Sequence, residues 1–314
     1  MRVLLAEYAS ALGLGGTCEL EGRAMLSTLA YSFQRAGHEV IYPMGGPGIG
    51  AGRPIPVSCS EEFEAVLRSS GADAGLLIAP DHLQPHLIRL LEGSTVNLGC
   101  SPDSAELCAD KLRSTRLLQR SGVPVAEIVD VPDLTCRRYV AKPRFGCGSE
   151  GVRITSSALA RSGEVVTRYC EGLSLSASFI VGERFLPLTI NRQILHLEGS
   201  SIAYQGSQVP YRTPRAAEVW EAAERAAEVL GLRGYAGIDL VLGDSPRVVD
   251  VNARPTTSII GIARVMREEL ADLILRARFG GMPDRVTLTG EHIFSKEDLV
   301  PYSRSTISDP AYLR

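Results

Sequence analysis

The sequence predicts an α/β unit of alternating strands and helices, followed by an α+β region built on antiparallel sheet. Three observations carry the prediction. Short apolar runs alternate with helical patterns over roughly the first hundred residues, and from about residue 138 the strands lengthen and alternate more clearly. The third is the segment YAGIDLVLGDSPRVVDVNARP, in which two apolar strands flank a tight turn.

Taken in order, residues 2–8 read as a buried strand, and residues 21–34 as a helix with apolar Met25, Leu26, Leu29 and Phe33, closed by Gly37. A strand at 39–42 leads into PMGGPGIGAGRPIP, whose glycines and prolines argue against any regular element. A helix at 61–69, a strand at 74–78, a helix at 83–91 and a strand at 94–97 complete the pattern. Alternation of this kind implies a parallel sheet covered on both faces, a small Rossmann-like unit over residues 1–100. Ser101, Pro102 and Asp103 then cap one helix reaching about Ser121, stopped by Gly122, Val123 and Pro124. Strands follow in RYVAKP, SASFIVGE, RFLPLTINRQIL and SIAYQGSQV, interrupted by a helix at 216–230. Residues 262–278 look like a closing helix, and residues 284–314 like a polar, irregular, partly ordered tail.

Composition narrows the function. The 314 residues carry a net charge of −3, so no overall basic field attracts nucleic acid or an anionic membrane. Seven cysteines, odd in number and without a CxxC pair, read as reduced thiols. MRVLLAEYAS meets a glutamate after a short apolar run, which suits a first strand rather than a signal peptide. No stretch reaches membrane-spanning length. A cytoplasmic enzyme is the expectation.

The hairpin is the most informative stretch. If Leu242 pairs with Arg247 across Gly243–Pro246, counting outward sets Asp239 opposite Asp250, with Asn252 on the same face and Arg254 just beyond. Two opposed carboxylates repel each other. A hard divalent cation turns that repulsion into binding, because Mg²⁺ takes oxygen ligands from one or two carboxylates together with phosphates. Solvation of both aspartates on an open sheet face is the bland alternative, and the adjacent arginine weighs against it.

RRYVAKPRFGCGSEGVRI holds a second signal. Lys142 precedes a proline and so stays extended, and Gly146-x-Gly148-x-x-Gly151 follows it. A dinucleotide fingerprint would have to open a helix, whereas VRIT reads as a strand, and no GxxxxGK[ST] is present. A glycine-rich flap between two strands, including Gly146, Gly148 and Ser149, can cover a triphosphate with backbone N–H groups. A plain hairpin turn explains the glycines but not the lysine. Neither an HRD loop, a DFG segment nor GxSxG occurs, which removes protein kinases and nucleophile-elbow hydrolases.

In order, Lys111 in ADKL, Lys142 before its flap, the linker TRYCEG and the D…D-x-N-x-R hairpin resemble the ATP-grasp superfamily over roughly residues 100–275. The resemblance implies an α/β Rossmann-like leader (1–100) and an ATP-grasp fold of two subdomains, about 101–165 and 166–283, that clasp ATP. It implies Lys111 and Lys142 on the phosphates, and the backbone around Arg168, Tyr169 and Cys170 on the adenine edge. Tyr169 suits plain core equally well. Many members place an acid for the ribose shortly after the linker glycine. Here Leu173 and Ser174 follow Gly172, leaving Ser174 or Glu171 to serve. The segments EYA, EGRAML, NRQIL, YQGSQVPYR and DVNARPTTS look like tyramine–glutamate ligases of methanofuran-type cofactor biosynthesis.

The chemistry so implied is ATP-dependent amide formation through an acyl-phosphate, joining a small-molecule carboxylate to an amine. Asp239, Asp250 and Asn252 would hold Mg²⁺, with Mn²⁺ as the alternative ion, and Arg254 would steady the carboxylate or acyl-phosphate. Arg192 is a candidate second phosphate contact, although an exposed strand arginine fits it as well. Glu7 and Glu21 are candidates to hold a substrate ammonium, against a first-turn helix acid for Glu21. His82 and His86 lack a third ligand, and Cys147 lacks a partner base, so neither reads as a site. Two alternatives stay open: a ligase of the same chemistry with other amino-acid substrates, and an ATP-binding regulatory protein without catalysis. A homodimer is left open.

Overall fold

The computed structural model describes residues 1–129, 138–146 and 150–303. The leader contains β1 (Arg2–Glu7), α1 (Tyr8–Leu12), α2 (Gly16–Arg35), β2 (Glu39–Met44), β3 (Arg53–Pro56), α3 (Ser60–Ser69), β4 (Ala74–Ile78), α4 (Gln84–Glu92) and β5 (Val96–Asn97). Its five strands pair in parallel in the order β3-β2-β1-β4-β5. Strand alternation sorts the core. Val3 and Leu5 of β1 pack with Leu26, Leu29 and Phe33 of α2, while Leu4 and Ala6 pack with Phe63 and Leu67 of α3 and Leu87 of α4.

The region expected to be plain loop, 43–56, is partly strand. Pro43 and Met44 extend β2, and β3 pairs with it in parallel along the sheet edge. An edge strand tolerates Pro54 and Pro56 because its outer side needs no N–H donors.

The helix expected over 101–121 is two helices, α5 (Pro102–Ala109) and α6 (Lys111–Arg120), broken at Asp110. Asp110 sits in an extended conformation and accepts hydrogen bonds from the amides of Leu112 and Arg113, capping α6. Arg144 grips the same carboxylate at 2.8 and 2.6 Å. The break makes Lys111 the first residue of a new helix.

The remaining elements are β6 (Tyr139–Pro143), β7 (Arg153–Thr155), β8 (Glu164–Arg168), β9 (Leu173–Val181), β10 (Phe185–Glu198), β11 (Ser201–Val209), α7 (Ala216–Val229), β12 (Gly234–Leu242), β13 (Pro246–Asn252), α8 (Ile259–Val265), α9 (Leu270–Phe279) and β14 (His292–Ser295). They build one antiparallel sheet in the order β13-β12-β9-β10-β11-β7-β6-β8, with β14 added on β11. The closing helix expected over 262–278 is also divided. Met266 turns extended, and Glu269 is drawn to α2 by Ser32 and Arg35.

Residues 292–303 are not irregular. After β14, a 3-10 turn (Glu297–Ser303) buries Leu299 and Tyr302 beside α2. Arg23 of α2, itself buried, donates to the carbonyls of Tyr302 at 2.5 Å, Pro47 at 2.5 Å and Gly48 at 2.8 Å. One guanidinium thus ties the C-terminal segment and the glycine-rich loop to the same helix. No helix among the described residues is long and apolar enough to cross a membrane.

Candidate active site

The hairpin β12–β13 sets the floor of a cavity of about 420 Å³. Asp239 faces Asp250, as the count predicted, but the turn is not the one used for counting. Leu242 pairs with Pro246 and Leu240 with Val248, and a bulge between Asp239 and Leu240 absorbs one extra residue, Val249. The error at the turn and the bulge cancel. The bulge also frees the Val249 carbonyl, which accepts a hydrogen bond from the Lys142 ammonium.

Lys111, at the start of α6, donates to both oxygens of Asp250 at 2.8 and 2.9 Å and lies 4.0 Å from Asp81. Asp81, in the turn after β4, also takes the Arg254 guanidinium at 3.1 Å. Gln193 of β10 donates to Asp239 at 3.0 Å. The charges are therefore layered: Asp239 and Asp250 face each other, Lys111 and Lys142 hold the Asp250 strand, Gln193 holds Asp239, and Asp81 lies between Lys111 and Arg254.

Electrostatics follow the layering. Burial pushes the Asp239 carboxyl up to about 7, and the adjacent Asp250 carboxylate adds to the rise. Burial opposes ionisation of Asp250 too, but Lys111 and Lys142 outweigh it and hold that carboxyl below its ordinary range. Burial depresses the Lys142 ammonium. For Lys111 the same penalty is overcome by Asp250 and Asp81, and its pKa rises. Two facing carboxyl groups, half-buried in the cavity floor, are an oxygen-rich seat for a hard cation. Among the described residues no cluster of three or more His, Cys, Asp or Glu could hold a metal. Two carboxylates and the Asn252 amide suit Mg²⁺, which draws its other ligands from water and phosphate, better than zinc.

The rest of the cavity is built by the linker and the small sheet. Val140, Val152, Ile154 and Leu240 give apolar walls, and Arg168, Tyr169, Cys170, Gly172 and Ser174 line one stretch. Gly172 has φ +145°, and a Cβ there would stand 2.4 Å from the Leu242 carbonyl oxygen. Only glycine lets the linker lie directly on the hairpin. Tyr169 is half-buried rather than core, with the Arg138 guanidinium 4.3 Å from its ring centroid.

Of the residues singled out from sequence, Lys111, Lys142, Gly146, Arg168, Tyr169, Cys170, Ser174, Asp239, Asp250, Asn252, Arg254 and Glu21 line this one cavity. Gly148 and Ser149, with Cys147, fall outside the described residues. Three others are placed elsewhere. Arg192 is exposed on the far face of β10, because alternation sends Gln193, Leu195 and Leu197 into the cavity instead. Glu171 is exposed and ion-paired with Arg138, leaving Ser174 as the linker residue on the cavity. Glu7 is buried behind the wall. The chain turns from β1 into α1 there, and its carboxylate accepts from the amides of Ala9 at 3.1 Å and Ser10 at 2.7 Å. Burial raises its pKa to about 7.

Glu21 does reach the cavity. Its carboxylate accepts from the Thr257 hydroxyl at 3.1 Å and lies 3.7 Å from the Lys296 ammonium. Its pKa is raised, burial outweighing Lys296. Sequence reasoning missed Asp81, Gln193 and Lys296. A signal existed for Asp81, since residues just past the C-terminal ends of parallel strands border binding crevices. Gln193 was one step of strand alternation away from Arg192.

Known proteins resemble this chain in sequence and in fold. A family model described as the ATP-grasp domain matches residues 108–258. The chain is 28% identical over 216 residues to a tyramine–L-glutamate ligase of Methanocaldococcus fervens, covering 67% of this chain and 68% of that protein. It is 25% identical to the tyramine–L-glutamate ligase of Methanocaldococcus jannaschii, covering 68% and 66%. Among solved structures, an ATP-grasp superfamily protein from Archaeoglobus fulgidus superposes with a TM-score of 0.78 at 29% identity, over 93% of this chain and 91% of that one. N5-carboxyaminoimidazole synthetase from Staphylococcus aureus, solved with ADP, shares the fold at 16% identity with a TM-score of 0.69, over 93% and 81%. The chain has the ATP-grasp fold, and the ATP-grasp domain model matches it over residues 108–258.

Proposed function

We propose that this enzyme, an ATP-dependent carbon–nitrogen ligase, activates the carboxylate of glutamate as an acyl-phosphate and joins it to tyramine, in methanofuran-type cofactor biosynthesis. The observation that carries the reading is the opposition of Asp239 and Asp250 across a hairpin, with Asn252, Arg254 and two lysines on the same cavity. Similarity to the two tyramine–L-glutamate ligases supports the substrates. The leader at 1–100, with its order β3-β2-β1-β4-β5, fits a Rossmann-like companion domain. Residues 101–165 and 166–283 are taken as the two subdomains.

In this reading the adenine lies between the apolar walls and the linker backbone at Arg168–Cys170, and Ser174 meets the ribose. Lys111 and Lys142 neutralise phosphate charge, while Asp239, Asp250 and Asn252 would hold one or two Mg²⁺. Bound Mg²⁺ would supply further charge neutralisation at the transferring phosphoryl group. Phosphoryl transfer demands little covalent help from protein, so placement and charge do the catalytic work. Arg254, oriented by Asp81, holds the reacting carboxylate with its planar fork. The carboxylate oxygen attacks the γ-phosphorus and ADP leaves. The amine then attacks the acyl carbon and phosphate leaves.

The test is incubation with ATP, Mg²⁺, glutamate and a panel of amines including tyramine, with ADP, AMP and product mass measured. ADP and an amide of the expected mass are the predicted products. AMP in place of ADP would overturn the acyl-phosphate route, and ATP binding with no turnover on any pair would favour a non-catalytic role.

A further inference from the structure

The C-terminal segment, read from sequence as a tail, brings a cation beside Glu21 and Tyr204, two residues that line the cavity. β14 pairs with β11, setting Ser295 beside Gly206 and Phe294 beside Ser207. The Lys296 amide then donates to the Gln205 carbonyl at 2.8 Å, so the backbone of Lys296 is fixed to the strand that lines the site. Its ammonium stands 3.7 Å from Glu21 and 5.9 Å from the ring centroid of Tyr204. Buried Phe294, Leu299 and Tyr302, with the Arg23 hydrogen bond to the Tyr302 carbonyl, anchor the segment on both sides of Lys296.

The side chains of Lys296 and Glu21 are 24% and 15% exposed, and 3.7 Å is an ion-pair distance rather than a tight hydrogen bond. Each group therefore keeps donors or acceptors for a third party. Opposite charges held side by side match a molecule that carries an ammonium and a carboxylate on neighbouring atoms. An α-amino acid is such a molecule. A reacting amine is a poorer match, because it must lose its charge before it attacks, whereas the α-groups of an amino acid keep theirs.

Building on the ligase reading, we propose that Glu21 and Lys296 form the recognition pair for the α-ammonium and α-carboxylate of the amino-acid substrate. Its side-chain carboxylate then extends toward Arg254 for activation. Lys296 is thus a specificity-determining residue supplied by the C-terminal segment, and the pair selects amino acids that react through a distal carboxyl group.

The test is calorimetric binding to the full chain with Mg²⁺ and a non-hydrolysable ATP analogue. The probes are glutamate, 4-aminobutyrate (no α-carboxylate) and glutarate (no α-ammonium). Loss of one charged hydrogen-bonding partner should weaken binding about tenfold or more. Lys296→Met is expected to weaken glutamate by that factor and leave 4-aminobutyrate within about twofold. Lys296→Arg is expected to recover most of the loss. Glu21→Gln is expected to weaken glutamate while sparing glutarate. Equal loss for glutamate and 4-aminobutyrate in Lys296→Met, unchanged glutamate affinity, or a wild-type protein that binds no α-amino acid would each overturn the assignment. The expected binding pattern without amide formation from any amine would refute the ligase reading alone.

Discussion

Replacing Lys111 with Met and Asp250 with Asn, singly and together, measures how strongly the site depends on its central ion pair. The ammonium meets both carboxylate oxygens at 2.8 and 2.9 Å. At 2.8 Å and an effective dielectric of about 20, Coulomb attraction amounts to about 6 kcal/mol. Two features reduce it. The Asp250 side chain is 29% exposed, and Lys142 also acts on it. Taking roughly half leaves a coupling of about 3 kcal/mol, in the range for breaking one partner of a buried pair. Urea unfolding in magnesium-free buffer gives the four stabilities of the cycle. Lys111→Met is expected to cost about 3 kcal/mol, because Asp250 is left facing Asp239. Asp250→Asn is expected to cost about 2 kcal/mol, because Asp81 still lies near the lysine. The double variant should be more stable than the sum of the two losses by about 3 kcal/mol. Additivity within about 0.5 kcal/mol would refute the view that this pair organises the site.

Further outcomes follow from the same structure. Asp239→Asn should lower magnesium-dependent ADP formation more than about 100-fold, yet raise stability in magnesium-free buffer by about 1 kcal/mol by removing carboxylate repulsion. A fall in that stability would contradict the layered-charge account. Arg192→Ala should leave turnover within about twofold, whereas Gln193→Leu should raise the magnesium requirement about tenfold by releasing Asp239. The reverse ranking would restore Arg192 to the site. For Glu7, the folded pKa of about 7 stands above the ordinary value of 4.5. Between these values the folded protein binds the extra proton, so this group lowers stability as pH rises from about 4.5 to 7, by up to about 3 kcal/mol. Glu7→Gln should remove that decline, and unfolding curves at pH 5 and pH 8 would show it. Parallel pH dependence in both proteins would mean that Glu7 is not held neutral.

What was legible in the sequence was whatever depended on local period. Alternation placed most strands of the large sheet, though not β8 or β14, and counting across the hairpin brought Asp239 to Asp250, although bulge and turn each departed from the assumed register. Long-range contacts decided the rest. The break at Asp110 answers Arg144, 34 positions away, so no helical pattern within 101–121 could announce it. Met266 ends one helix and Glu269 starts the next, where Ser32 and Arg35 claim its carboxylate. The polar segment after 283 looked like a tail because its few apolar residues are widely spaced, yet β11 offered an edge and Arg23 a donor for the Tyr302 carbonyl. Among residues lining the cavity, those carried by a motif had been singled out. Gln193 lies in a strand, and Lys296 just beyond one, whose patterns do not tell which face meets the cavity.

The bulge at Val249 makes two functions of the hairpin separable. Shortening the chain by that one residue would restore uniform pairing outward from Pro246 and would still bring the two acids together, since the following residue would move into the vacated position. Lys142 would lose the carbonyl that anchors it. A one-residue deletion could thus leave the cation seat in place while unmooring the lysine, letting the contributions of the two be measured apart within a single strand.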